Sequence, residues 1–231
     1  MKMSCKKEAD VSRRKNNSVQ ISGVLTGEFC FDHEINGKSM FSTVATNRRL
    51  SGREDNVVLM VSEKLLEKKG IFNMSVKGKR FKGTGEFRSH NVEWQDGSNH
   101  LRLYVWITDI HIAGNGEDIP EINEVLLDGY LCRTPLYRRT GIIPEYGKDI
   151  TDIMLSVSRQ DSSPDYVPCI LWGRNSVRAS FYKVGFRLRC YGRVQSRRYF
   201  KVLQKDETGG FGEWREAYEI SVYRMEFVSD M

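Results

Sequence analysis

The residues of this chain best suited to chemistry are large aromatics and arginines, set alternately along two stretches of its second half. In DYVPCILW, Tyr166, Pro168, Ile170 and Trp172 share one parity and Val167, Cys169 and Leu171 the other. An extended strand sends the two sets to opposite faces. The aliphatic set suits an interior, and the other places Tyr166 and Trp172 on one outer face. In FRLRCYGRVQSRRYFK, Phe186, Leu188 and Cys190 alternate with Arg187, Arg189 and Tyr191, and the pattern runs on through Arg193, Gln195, Arg197 and Tyr199, with Arg198, Phe200 and Lys201 beside them. Rings on which bases stack, next to cations that neutralise phosphate, are what sequence-tolerant, salt-sensitive binding of single strands requires. The competing reading of Tyr166 and Trp172 is a subunit interface or the closed end of a barrel, because aromatics are also enriched at interfaces. That of the arginines is a solvated face paired with the chain's own carboxylates. Arg174 and Arg178, on a helical segment, are weaker candidates.

Other chemistries find little support. The five cysteines are scattered, with no C-x-x-C, and the four histidines stand apart, so thiols are expected reduced and neither a metal nor a cofactor is expected. Asp109 and His111 share a strand face, but no P-loop, metal cluster or Ser/His/Asp arrangement accompanies them, and no enzyme is expected. The net charge is +6, of which +4 falls in residues 1–16, +2 in 17–116 and none in 117–231. Residues 1–16 thus read as a disordered basic arm, and the meaning of the charge lies in its placement. No apolar run is long enough to span a membrane, and MKMSCKKEADVSRRKNN has no apolar stretch after its basic residues; no membrane partner and a cytoplasmic, nucleoid-associated location are expected.

The elements that must position these residues come in two series. Alternating or β-branched runs fall near 18–25, 40–47, 56–62, 78–87 and 101–110, and again near 124–131, 151–158, 165–172, 186–194 and 217–227. A short helical pattern follows the third run of each series: EKLLEKKG, with Gly70 as its stop, and RNSVRASFY, with Val177 and Phe181 four apart. NSVQISGVL at Asn17 matches NEVLLDGYL at Asn123, Asp55 and Val57 match Asp165 and Val167, and Gly78, Arg80, Gly85 and Ser89 match Gly185, Arg187, Gly192 and Ser196. The halves read as diverged duplicates. The expected organisation is a domain over 17–112, an aperiodic linker over 113–122 and a domain over 123–229. The fold class is all-β, with two tandem five-stranded barrels, each carrying a short helix between strands 3 and 4. That is the order of an OB-fold, though other small barrels share the strand count.

The halves differ on their outer faces. Asn56, Met60 and Ser62 stand where the second half has Tyr166, Ile170 and Trp172, and His90, Asn91 and Val92 where it has Arg197, Arg198 and Tyr199. Phe41, Lys79, Arg80, Lys82 and Trp94 remain as weak contacts. The first half therefore reads as degenerate, and mainly architectural.

With these motifs in hand, the second half resembles the bacterial single-stranded DNA-binding proteins. NEVLLDGYLCRTP, TDIMLSVSR, DYVPCILWGR, GRVQSRRY and AYEISV stand in family order from Asn123 to about Phe227, and the first half resembles the family faintly. The resemblance implies an OB-fold that wraps single-stranded DNA in replication, recombination and repair, without catalysis. It implies stacking roles for Tyr166, Trp172 and Tyr199, and basic contacts at or beside Arg133, Arg174, Arg193, Arg197 and Arg198, to which the arginine-rich stretch adds Lys201. The family assembles four OB-folds, so two per chain imply a homodimer. Its disordered tail with an acidic, apolar tip that recruits replication and repair proteins has no counterpart in EFVSDM, which puts such recruitment in question. PLYRRTGIIPEYGKD reads as a long loop between the first two strands, whose Tyr137, Arg138 and Arg139 either extend the DNA track or solvate a hairpin. The alternative from another class is a barrel adaptor that oligomerises without binding DNA.

Overall fold

The computed structural model describes residues 16–93, 97, 99–141, 147–159, 163–206 and 209–228. The basic arm up to residue 15, Trp94 and the last three residues lie outside the described residues. The first half comprises β1 (Asn17–Leu25), β2 (Cys30–Ile35), β3 (Lys38–Arg48), β4 (Glu54–Ser62), α1 (Glu63–Lys68), β5 (Arg80–Glu93) and β6 (Asn99–Ile112). The second comprises β7 (Asn123–Leu131), β8 (Leu136–Arg139), β9 (Asp149–Val157), β10 (Asp165–Trp172), α2 (Arg174–Ala179), β11 (Arg187–Asp206) and β12 (Gly209–Phe227). Each half thus has one strand more than its periodicity predicts. β2 and β8 carry no buried residue, so neither writes an alternating pattern into the sequence. The segment expected as one long loop holds β8, which pairs with β9.

Both halves share one pairing plan. β1 pairs with β3, β3 with β4, β4 in parallel with β6, β6 with β5, and β5 returns to β1. In the second half β7 pairs with β9, β9 with β10, β10 in parallel with β12, β12 with β11, and β11 returns to β7. Two glycines permit the close strand approach this needs: a Cβ on Gly85 would lie 2.0 Å from the Trp106 carbonyl oxygen, and one on Gly192 2.6 Å from that of Ser221. The inward residues of all these strands form one cluster of buried side chains that includes Val19, Phe81 and Val105 from the first half and Leu127, Val167 and Leu188 from the second.

The helices plug this core differently. In α1, Ser62 accepts from the Leu65 amide, Leu66 is buried, and Gly70 beyond the end has the left-handed φ of 65° that ends helices. In α2 the buried residues are Ser176 and Ala179, and the Thr151 hydroxyl bonds the Ser176 carbonyl at 2.9 Å. Val177 and Phe181, whose spacing marked this helix, both face solvent.

The halves meet about a pseudo-twofold axis. β1 runs antiparallel to β7 with Asn17 opposite Leu127, Val19 opposite Val125 and Ile21 opposite Asn123. Val19 and Val125 are equivalent in the internal repeat, so the axis passes between them. Asn17 bonds the backbone of Phe87 in both directions, at 2.8 and 2.9 Å, and its equivalent Asn123 does the same with Val194, at 2.9 and 2.8 Å. Each half also lends a buried carboxylate to the other. Asp165 accepts from the Ser89 amide at 2.6 Å while the Ser89 hydroxyl accepts from the Tyr166 amide at 2.8 Å. Asp55 accepts from the Ser196 amide at 3.0 Å while the Ser196 hydroxyl accepts from the Asn56 amide at 2.9 Å. Arg159 pairs with Asp165, and Arg49 with Asp55. The connecting segment is bound along the first half, with Ile119 buried, the Ser22 hydroxyl donating to Pro120 at 2.7 Å, and Arg80 pairing with Glu121 at 2.8 Å.

Candidate nucleic-acid interface

Residues directly opposite in adjacent strands present their side chains to the same face. On β10, Tyr166 stands opposite Ser156, Pro168 opposite Met154 and Trp172 opposite Ile150. Across the parallel pairing β10 meets β12 at Ile170 and Ser221, and β12 meets β11 at Glu219 with Gln195, Ala217 with Arg197 and Arg215 with Tyr199. The outer set of β10 and the odd-numbered residues of β11 therefore share one continuous face. Tyr166 and Trp172, 43% and 39% exposed, stand about 20 Å apart along it. Ile170, of the same parity, is buried.

A hollow of about 480 Å³ opens on this face between Arg133 and Leu136 on one side and Pro168, Arg197 and Glu219 on the other. It brings Arg133, from the turn after β7, to Arg197, from β11. The Arg197 guanidinium lies 5.7 Å from the centre of the Tyr199 ring and 3.8 Å from the Glu219 carboxylate. Burial raises the Glu219 carboxyl above the ordinary range, and the Gln195 amide donates to it at 3.0 Å. Arg133 and Arg174 are exposed and make no ion pair among the described residues, and Arg174 follows Trp172 closely at the start of α2.

The remaining sequence candidates are placed apart. Arg193 belongs to the seam between the halves, 2.5 Å from the Asp55 carboxylate and 2.8 Å from Gln195. Arg198 sits on the opposite face of the β11–β12 hairpin from Arg197, its guanidinium 5.7 Å from the Trp214 ring. Lys201 stands opposite Glu213 further out. Arg187 and Arg189, which continue the alternation, are both bound to Asp128, at 2.8 and 2.7 Å. In β8, Arg138 pairs with Asp152 at 2.9 Å and the Tyr137 hydroxyl donates to Asp149 at 2.6 Å. Sequence reasoning missed Trp214. Its signal was the period-2 run of Trp214, Glu216, Tyr218 and Ile220, which becomes visible once β12 is extended back beyond Ala217.

The matching face of the first half is filled by its own side chains. Met40, Met60 and Tyr104 are buried there, with Ile35, Val58 and Trp106 packed around them. Beside them Asp32 is held by Arg102 at 2.5 Å, Ser42 at 2.6 Å and His33 at 2.6 Å, which keep its carboxyl well below the usual range. Of the weak candidates here, Phe41 packs edge-on against Phe31 and Phe72, Arg80 is bound to the connecting segment, and Lys79 and Lys82 lie along β5 and the turn before it. Asp109 pairs with Lys69 and His111 with Glu117, so they form no joint site. Among the described residues no group of three or more His, Cys, Asp or Glu is placed to hold a metal ion, and no helix is long and apolar enough to cross a membrane.

No family model and no curated protein matches this chain. Solved structures do. The wild-type single-stranded DNA-binding protein of Thermus aquaticus superposes with a TM-score of 0.68 at 19% identity, covering 93% of this chain and 94% of that one. An engineered deletion variant of the same protein superposes with a TM-score of 0.70 at 18% identity, covering 93% and 95%. The fold of this chain, across both halves and the seam between them, is that of the Thermus aquaticus single-stranded DNA-binding protein.

Proposed function

We propose that this chain binds and protects single-stranded DNA without sequence preference, holding bases by stacking on Tyr166, Trp172 and Tyr199 and phosphates by Arg133, Arg174 and Arg197, with Arg198 and Lys201 on the projecting hairpin. Each closed set of strand pairings is read as an OB-type barrel, over residues 17–112 and 123–229, joined by 113–122. The observation that carries the reading is the continuous face of β9, β10, β12 and β11, on which Tyr166, Trp172 and Tyr199 are exposed, bordered by Arg133 and Arg174, which make no ion pair among the described residues, and by Arg197, 3.8 Å from Glu219. Arg193, expected among the contacts, is assigned instead to holding the halves together. The first half is assigned architecture, because its matching face is occupied by Met40, Met60 and Tyr104. Two barrels per chain make a homodimer of four the natural assembly, acting in the cytosol on strands exposed by replication, recombination and repair, with no catalytic step.

A titration of intrinsic tryptophan fluorescence with oligo-dT, at low and high salt and with duplex DNA as competitor, tests this. The expected result is strong quenching, weakened by salt and resistant to duplex. No quenching at low salt overturns the reading in favour of a non-binding adaptor.

A further inference from the structure

An open cleft of about 740 Å³ lies between the β11–β12 hairpin and the first half. Its walls come from both halves: Tyr199, Trp214 and Tyr218 on one side, Val58, Val92 and Leu101 on the other. Leu101, 37% exposed at the start of β6, also borders a second, smaller hollow that contains Tyr166 together with His90 and Asn91. It is the ridge between the two. A strand lying on Tyr166 that continues over this ridge therefore descends into the cleft.

Within the cleft Trp214 is built as a platform. The ring is 64% exposed, yet Phe200 holds it edge-on with centroids 5.5 Å apart and an interplanar angle of 69°, and the Arg198 guanidinium lies against it. An aromatic kept in one orientation without being buried is ready to accept another flat ring, and the neighbouring cation is positioned for a phosphate. The hairpin is bonded to the first half where it leaves the seam, which sets the width of the cleft: the Asn56 side-chain Nδ2 donates to Glu216 at 2.9 Å, and Arg193 and the Ser196 backbone amide are held by Asp55.

We infer that the single strand leaves Tyr166 across Leu101 and enters this cleft, where Trp214 is a further base-stacking residue and the first half supplies the facing wall. The inference rests on the DNA-binding reading above and extends it, since the first half then takes part in binding through the start of β6 and through Val58 at the margin of its filled face.

The test is binding of fluorescently labelled oligo-dT, followed by anisotropy, to the full chain and to Trp214→Ala, Leu101→Glu and Trp172→Ala. Both Trp214 and Leu101 are exposed, and unchanged thermal melting verifies that their variants fold. The expected result is a loss of affinity of about fivefold or more for Trp214→Ala, and a comparable loss for Leu101→Glu from charge repulsion at the ridge. A halogenated-dT oligonucleotide crosslinked to the unmodified chain should label the peptide containing Trp214. Normal binding by Trp214→Ala and Leu101→Glu, with Trp172→Ala impaired and no crosslink at Trp214, overturns the inference while leaving the DNA-binding reading intact. Absence of binding by the unmodified chain overturns both.

Discussion

Trp172 and Ser62 occupy equivalent positions at the ends of β10 and β4, and under the proposed function their difference in side chain is the difference in role between the halves. A base stacked on an aromatic contributes about 1–3 kcal/mol, whereas a serine at a helix N-cap contributes to local stability alone. Trp172→Ala should therefore weaken oligo-dT binding by about 1–3 kcal/mol in an anisotropy titration, and Ser62→Ala should leave it unchanged; equal losses would contradict the inequality of the halves. Glu219 supplies a second expectation. It is a carboxylate on the proposed binding face, and it engages Arg197. Burial raises its pKa above the ordinary 4.5. Because the raised value belongs to the folded state, this group favours folding at pH below its unfolded pKa and loses that contribution as pH rises through the folded one. DNA binding follows the same sign: protonation removes a negative charge from the face and releases Arg197 to phosphate. Affinity for oligo-dT at fixed ionic strength should rise as pH falls toward 4.5. Glu219→Gln should bind more tightly at neutral pH and lose most of that dependence, and a variant with the same pH profile as the unmodified chain would remove Glu219 from the interface.

Strand β11 carries two arginines of the same parity four residues apart, and its neighbours give them different work. Arg193 meets a fully buried carboxylate of the other half, whereas Arg197 stands free of the seam with its guanidinium against Tyr199. Arg197→Ala should reduce affinity and flatten its dependence on salt with little change in melting temperature. Arg193→Ala should lower the melting temperature and leave the salt slope almost unchanged, because the buried Asp55 then keeps Arg49 of its own half and loses the cation that ties it to the other half. Salt-dependent titrations and thermal melts of the two variants separate these outcomes. The contrast also marks where sequence reading stops. Alternation along β10 and β11 was legible because a strand's inner and outer residues differ in polarity, and it gave the aromatic face; the repeat was legible in residues matched between the halves. Whether an outward arginine meets DNA or a carboxylate from the other half depends on a pairing across more than a hundred residues, which leaves no local pattern. β2 and β8 were illegible for a related reason, having no buried set against which to alternate. In α2 the apolar spacing of Val177 and Phe181 pointed the wrong way, because the small residues Ser176 and Ala179 are what the core admits there.

The chain as a whole is a pseudo-dimer made covalent. Equivalent strands β1 and β7 pair about a local axis, equivalent asparagines clamp equivalent backbones, and Asp55 and Asp165 cross the seam in opposite directions to meet Ser196 and Ser89. The seam is nearly symmetric while the outer faces of the two halves differ, as expected if the seam serves both halves equally and the proposed stacking residues serve one. Two consequences follow for stability. One hydrophobic cluster runs through both halves, so the protein should unfold in a single cooperative transition, with Trp106 in one half and Trp172 and Trp214 in the other reporting the same midpoint as circular dichroism. The carboxylates of the seam should also be interchangeable in importance. Asp55 and Asp165 have side chains 0% and 1% exposed, each with arginines at hydrogen-bond distance. Replacing either by alanine removes the buried carboxylate on which the half-buried arginines and a serine amide of the other half converge, a change that costs about 3–5 kcal/mol. Asp152, whose pair with Arg138 is exposed to solvent, should cost about 1 kcal/mol or less on the same replacement. Urea unfolding of the three variants, followed by fluorescence and circular dichroism together, distinguishes this from independent halves: separate transitions in the unmodified chain, or a loss at Asp55 or Asp165 no larger than at Asp152, would show that the seam joins the halves without stabilising them.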